Sequence, residues 1–166
     1  MPAQESRGGV AVAAGASAFS FGGGAEPEFV PGLHLQGQVT LRQSTRVDLR
    51  AEGLWARHPA RGEDGEARVL GTALSVTYHF RPTAVTGLYL LGGAGVYERR
   101  VQFDVRRMGP GGPSVWRETD WAPSIGVGLR FVLAGRPAFV EGREHLLGAA
   151  DGRRVGMVAL VAGLRL

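Results

Sequence analysis

The chain has no cysteine among its 166 residues. That excludes disulfides, thiolate metal sites and cysteine nucleophiles, and it leaves the redox compartment open. Lysine is also absent: all 19 basic residues are arginine, which we read as the codon bias of a GC-rich genome. No apolar run approaches the roughly 18 to 20 residues that a membrane-crossing helix needs. Met1 to Arg7 contain no apolar core of about 7 to 15 residues, so they are not a signal peptide. The formal charge is only +4 and the arginines are spread along the chain, so no nucleic-acid footprint is expected. No two histidines stand at ligand spacing, and no metal or cofactor site is read from the sequence.

What is present is a strict alternation. Leu33, Leu35, Gly37, Val39 and Leu41 oppose His34, Gln36, Gln38, Thr40 and Arg42. After a short polar break, Val47, Leu49, Ala51, Gly53 and Trp55 oppose Asp48, Arg50 and Glu52. Side chains on a strand change face at every residue, so these are two long neighbouring strands, each with one apolar and one polar face. In a soluble sandwich the polar face meets water. In a membrane barrel it faces inward and the apolar face meets lipid. The 27 glycines fall inside alternating segments as well as in turns, as a small, tightly curved barrel requires.

The pattern predicts about eight strands in one all-β domain: Gly9 to Gly22, Pro31 to Arg42, Arg46 to Arg57, Arg68 to Phe80, Gly87 to the Arg99 region, a segment around Ser124 to Phe131, Ala138 to Leu147, and Arg154 to Leu166. The facing of the first is ambiguous, because Val10, Val12, Ala14 and Ala16 compete with Ala11, Ala13, Phe19 and Phe21. Breaks near Gln43 to Thr45, Arg81 to Thr86 and Ala134 to Pro137 are tight. Those near Gly23 to Glu28, His58 to Glu66, Arg99 to Thr119 and Gly148 to Arg153 are longer or more polar. In an up-and-down meander, short and long connections that alternate sort to opposite rims, as in bacterial outer-membrane barrels. Tyr78, Phe80 and Phe131 fall near the short-turn rim, and Phe29, Trp55, Tyr97 and Trp121 near the other, as amphipathic rings at two interfaces would.

The expected fold is an eight-stranded antiparallel up-and-down transmembrane β-barrel over residues 8–166, after a polar tail over 1–7. A secreted barrel needs a leader, so we expect a mature form with Met1 added for expression and Ala3-Gln4 close to the cleavage point. The outward residues on strands two to four and six carry no formal charge. The inward set holds Arg42, Asp48, Arg50, Glu52, Arg130, Glu141 and Arg143. Eight strands enclose a space that side chains can fill, so the expectation is a lumen plugged by ion pairs.

Several phrases then resemble the eight-stranded outer-membrane β-barrel family of OmpA/OmpX type. They are Leu88 to Tyr97 for the fifth strand, Ser124 to Phe131 for the sixth, and Phe139-Val140-Glu141-Gly142-Arg143 for the seventh. Gly163-Leu164-Arg165-Leu166 resembles the terminal strand read by the barrel-assembly machinery, although that strand usually ends in an aromatic residue and here ends in Leu166. The resemblance covers about Gly8 to Leu166. It implies a monomer in the bacterial outer membrane with both termini in the periplasm. It identifies architecture and says little about activity.

Candidate chemistry is sparse. His34 and His79 lie in inward rows and belong with the lumen network. His58 precedes Pro59 and reads as a solvated rim residue. His145 lies near the long-loop rim, and no serine is within two residues of it. The acidic run Glu63-Asp64-Gly65-Glu66 reads as a solvated turn rather than a calcium loop. Gly92-Gly93-Ala94-Gly95 is not a phosphate loop, since no helix follows. In the longest loop, Val101, Phe103 and Val105 alternate with polar residues before a Met108 to Pro113 turn, so strands five and six are expected to continue as a hairpin. Its edge would suit strand addition by a partner. Arg99, Arg100, Arg106 and Arg107, with Trp116, would suit lipopolysaccharide phosphates or an extracellular partner. The reading is a non-enzymatic outer-membrane protein with a structural or surface-interaction role and no cofactor. The rival readings are a narrow solute channel, a lipid-modifying enzyme and a soluble lipocalin-like barrel.

Overall fold

The computed structural model describes residues 8–21, 31–42, 44–59, 65–103, 114–147, 149–150 and 153–166. Among these every regular element is a strand. They are β1 (Gly8–Phe21), β2 (Gly32–Arg42), β3 (Val47–Pro59), β4 (Gly65–His79), β5 (Gly87–Phe103), β6 (Ser114–Leu133), β7 (Arg136–His145), the two-residue β8 (Ala149–Ala150) and β9 (Arg153–Arg165). Each long strand pairs antiparallel with the next, β7 pairs with β9, and β9 returns to β1. The sheet is therefore a closed barrel of eight long strands, in which no long strand is left as an edge along its full length.

Register sets the tilt. Stepping across the ladders from Gly8 passes Leu41, Leu49, Val76, Gly92, Ile125, Glu144 and Val158 and returns to β1 at Ala18, ten residues along the strand. A stagger of that size over eight strands, at about 3.3 Å per residue and 4.8 Å between strands, inclines the strands by about 40°.

The facing ambiguity of β1 is resolved by its neighbours. Val10 pairs with Val39, so Val10, Val12, Ala14 and Ala16 face outward, and Ala11, Ala13, Ser17 and Phe19 face the lumen. The outer wall is apolar: Leu70, Leu74, Ile125 and Leu160 are each at least 60% exposed. A soluble monomer does not expose a continuous surface of this kind. Between Tyr78 and Phe80 at one rim and Trp55 and Trp121 at the other, one described outward residue carries a charge, Glu144 on β7.

The short-turn rim is made, among the described residues, by 44–46, 80–86 and the Ala134-Gly135 hairpin. Both hairpin residues have positive φ, 49° and 78°, the geometry of a two-residue turn whose twist matches its strands. At the opposite rim β5 and β6 are the longest strands, and their pairing runs out to Phe103 and Ser114.

Inside, two glycines on β6 and β9 act as seats for rings. A Cβ at Gly128 would fall within the Tyr89 ring, and one at Gly163 would come 2.5 Å from Phe139. These rings lie flat against the neighbouring strand because nothing projects there.

Candidate functional site

The lumen is organised in layers along the barrel axis. Nearest the short-turn rim, Asp48 Oδ2 lies 2.8 Å from His79 Nε2 and 3.8 Å from Arg165 Nη2. Cavities of about 160 and 210 Å3 open at this end, the first ending on Arg50, His79 and Tyr89.

The next layer is a chain of buried ions. Arg50 Nη1 donates to Glu141 Oε2 at 2.7 Å, and the Tyr89 hydroxyl donates to the same oxygen at 2.9 Å. The Arg50 guanidinium also sits 5.0 Å from the centre of the Tyr89 ring, a cation–π contact. Arg143 Nη2 is 3.0 Å from Glu141 Oε1, and Arg143 forks onto both oxygens of Glu52. Ser75 donates to Glu52 at 2.6 Å and Gln36 at 3.3 Å. The alternation of β3 and β7 places these groups: even positions of β3, and odd positions of β7 from Phe139 on, face inward. Bidentate arginine–carboxylate pairing with further donors is what buried charges require.

Above the ions the filling becomes apolar. Leu54, Ala56, Val69, Tyr97, Leu147, Val155 and Met157 form one buried cluster. His145 Nδ1 is 2.9 Å from the Tyr97 hydroxyl, and Ser17 Oγ is 3.2 Å from His58 Nε2, with the His58 ring 4.5 Å from that of Phe19. Higher still, Arg99 pairs with Glu118, lies 3.5 Å from Asp120, and stands over the Trp116 ring at 4.9 Å.

The expected lumen residues thus come together unevenly. Arg50, Glu52, Glu141 and Arg143 form one chain, and Asp48 lies below it. Arg130 sits at the short-turn rim, where it donates to the carbonyls of Arg81, Pro82 and Ala84, so it ties down the β4–β5 turn. Arg42 pairs through its backbone with Asp48, and its side chain lies outside the described residues.

Three expectations need correction. His58 is fully buried; β3 continues to Pro59, so His58 keeps the inward facing of Leu54 and Ala56 and is not a rim residue. Tyr97 is also buried, on the inward row of β5, and does not join an interfacial girdle. Arg99 has the same inward parity and is 5% exposed, so its charge is spent on Glu118 and Asp120 and it is not a surface contact. Its neighbour Arg100 faces outward and Trp116 is 45% exposed. Arg106 and Arg107 lie outside the described residues, as do Glu63, Asp64 and Phe29. Glu66 belongs to β4 and pairs with Arg57 and Arg68.

Sequence reasoning missed one constellation. Arg57, Arg68, Arg100 and Arg117 are direct cross-strand partners in succession on the outer face. Only the strand register reveals that, because the four are far apart in the chain.

An apolar outer wall around a charged, filled interior defines a transmembrane β-barrel. No protein-family model and no curated protein matches this chain. Solved structures do. Neisserial surface protein A superposes with a TM-score of 0.67 at 19% identity, covering 97% of both chains. Ail, the attachment invasion locus protein of Yersinia pestis solved with the heparin analogue sucrose octasulfate, gives 0.61 at 14% identity, covering 97% of this chain and 100% of that one. The N-terminal β-barrel domain of Pseudomonas aeruginosa OprF gives 0.53 at 17%, covering 96% and 98%. The chain has the fold of the eight-stranded outer-membrane β-barrels.

Proposed function

We propose that this chain is an integral, monomeric outer-membrane barrel with a plugged polar lumen, acting as a structural and surface-interacting protein and not as a channel or an enzyme. The observation that carries this reading is the buried chain Arg50–Glu141–Arg143–Glu52 beneath the apolar Leu54–Met157 cluster. An ion crossing the lumen would have to break paired charges and then pass the closely filled layer around Leu54 and Met157, and bare ions in such surroundings are very costly. Short turns face the periplasm in barrels of this kind. Gly8 and Arg165 lie at the short-turn end, so both termini are assigned to the periplasm, where the barrel-assembly machinery would meet the terminal strand.

The surface role rests on the β5–β6 hairpin. Beyond Pro123, whose carbonyl accepts from Leu146 N, β6 has β5 on one side, and its other edge has no ladder partner among the described residues. Such an edge accepts an added strand. The Ail likeness, to a protein whose name records attachment and invasion, supports an adhesive role. Against an enzyme, the Ser17–His58 pair is buried in the lumen, away from lipid.

The test is planar-bilayer conductance of a refolded sample that shows the heat-dependent gel shift of a closed barrel. Conductance near background is expected, and a steady open channel would overturn the plug. Deleting residues 102–116 should lower surface adhesion. Adhesion unchanged by that deletion overturns the surface role, and a mass change of lipid A on expression overturns the non-enzymatic reading.

A further inference from the structure

Four guanidinium groups stand side by side on the outer wall just above the apolar belt. Arg57 pairs across with Arg68, Arg68 with Arg100, and Arg100 with Arg117. Their side chains point outward: those of Arg57, Arg68 and Arg117 are 56%, 51% and 58% exposed. At about 4.8 Å per strand the row spans roughly 14 Å. Like charges in directly opposite positions destabilise a sheet, so the row calls for anions. Two carboxylates answer it in part. Glu66 bridges Arg57, at 2.7 Å, and Arg68, and Glu98 lies 3.5 Å from Arg117. Arg100 has no ion-pair partner among the described residues. Two positive charges are left in excess, spread across β4 and β5.

Below this row, past Trp55, Leu70 and Glu98, the wall is hollowed. Following the same face down from Arg57, Arg68 and Arg100 leads to Gly53, Thr72 and Ala94. These small residues, with Gly37 beside Gly53, form the floor of a groove of about 740 Å3, and Trp121 and Val12 stand at its sides. Nothing lies within 4 Å of where a Cβ on Gly37 or Gly53 would be, so the floor is open to the bilayer.

We propose that the outer face of β3–β6 binds a phosphorylated, acylated lipid of the outer leaflet. Its phosphates lie on Arg68 and Arg100, flanked by Arg57 and Arg117, and one acyl chain lies in the groove over Gly53. Arginine suits phosphate because its planar fork donates two parallel hydrogen bonds. A free anion would use the row but not the groove, and the placing of the two one above the other, with apolar Trp55 and Leu70 between them, selects an amphiphile. The orientation rests on the outer-membrane reading above, which turns the long-loop rim toward the cell exterior.

The test uses the whole barrel refolded in zwitterionic micelles, with three probes: bisphosphorylated lipid A, the same lipid stripped of phosphate, and the acyl-free bisphosphorylated disaccharide. Native mass spectrometry and titration read binding, and the heat-dependent gel shift reports folding. Lipid A should bind best. Arg68→Ala/Arg100→Ala should weaken it about ten-fold or more, as should removal of its phosphates. Gly53→Leu should weaken lipid A but leave the weaker binding of the disaccharide unchanged. Equal binding of lipid A to the folded wild type and the folded double variant overturns the site. So does a disaccharide that binds as tightly as the whole lipid, which would mark a simple phosphate site. A folded barrel with no phosphate preference overturns this site alone, whereas a chain that never gives the gel shift overturns the outer-membrane reading with it.

Discussion

Glu141 and Glu144 stand three residues apart on β7 and face opposite ways, the first 1% exposed in the lumen and the second exposed on the wall. Replacing each by leucine should move stability in opposite directions. Glu141 accepts from Arg50 at 2.7 Å and from Tyr89 at 2.9 Å, and it lies 3.0 Å from Arg143. Arg143 keeps Glu52 when Glu141 is lost, but Arg50, 2% exposed, is left as a buried charge without its carboxylate. Breaking one partner of a buried pair costs about 3–5 kcal/mol, a shift of roughly 10² to 10⁴ in the folding equilibrium. Adding Arg50→Met to Glu141→Leu should recover most of that loss, because an apolar pair of similar volume replaces a pair of ions. Glu144→Leu removes a charge from a surface that faces hydrocarbon, between Ile125 and Val158. It should stabilise by about 1 kcal/mol, since carboxylates on the lipid face cost less than the 2–4 kcal/mol of an arginine. Urea unfolding in lipid vesicles, followed by tryptophan fluorescence and the folded gel band, gives both values. A Glu141→Leu loss under about 1 kcal/mol would mean that water from the short-turn cavity screens Arg50, and the reasoning from a buried ion chain would fail. Destabilisation by Glu144→Leu would mean that the β7 wall does not face lipid.

Other substitutions follow the same geometry. Gly128→Ala drives a methyl into the Tyr89 ring and should cost about 1–3 kcal/mol, whereas Gly53→Ala, with open space above it, should stay within about 0.5 kcal/mol; unfolding midpoints compare the two. Leu74→Arg, at a wall position 61% exposed, should cost about 2–4 kcal/mol in vesicles, and a neutral result would argue for a water-facing exterior. Arg130→Ala removes donors to the carbonyls of Arg81, Pro82 and Ala84. It should cost about 1.5–3 kcal/mol and raise protease cleavage at 81–86, and unchanged cleavage would show that the turn holds itself.

The strands most legible in the sequence were those whose two faces differ in chemistry. On β2 to β4 the choice between Leu74 and Ser75, or Val39 and Gln38, is a choice between lipid and lumen, and a slip of one residue would reverse every side chain. On β1 both rows are alanine, glycine or small polar residues over much of the length, so the facing came only from its ladders to β2 and β9. Strand ends were the second loss. His58 and Arg99 were misplaced because alternation continued beyond the residue at which a loop was expected. Tyr97 lay inside an expected strand, but both rows of β5 are apolar or glycine there, so the alternation did not say which row faces lipid. Arg99 and Arg100 are adjacent in sequence, and without the strand continuing through them nothing indicates that one is buried and the other faces out. The row Arg57, Arg68, Arg100, Arg117 needs three separate registers to assemble, and no local pattern carries that information.

The distribution of charge bears on where such a barrel acts. Inside, each arginine is answered by carboxylates: Arg50, Arg143, Glu52 and Glu141 close on one another, and Arg99 closes on both Glu118 and Asp120. Matched buried ions add rigidity and leave little field for a passing solute. The apolar cluster of Leu54, Val155 and Met157 then lies in series with them. A transport site would show the reverse, an excess of one sign along a wet path. That excess occurs on the outside instead, in a row of arginines only half answered by Glu66 and Glu98, at the edge of the apolar belt. On the reading proposed above, the unmatched charge that can meet a ligand sits on the outer wall, so the barrel's partners are to be sought among the lipids and surfaces around it and not among solutes within it.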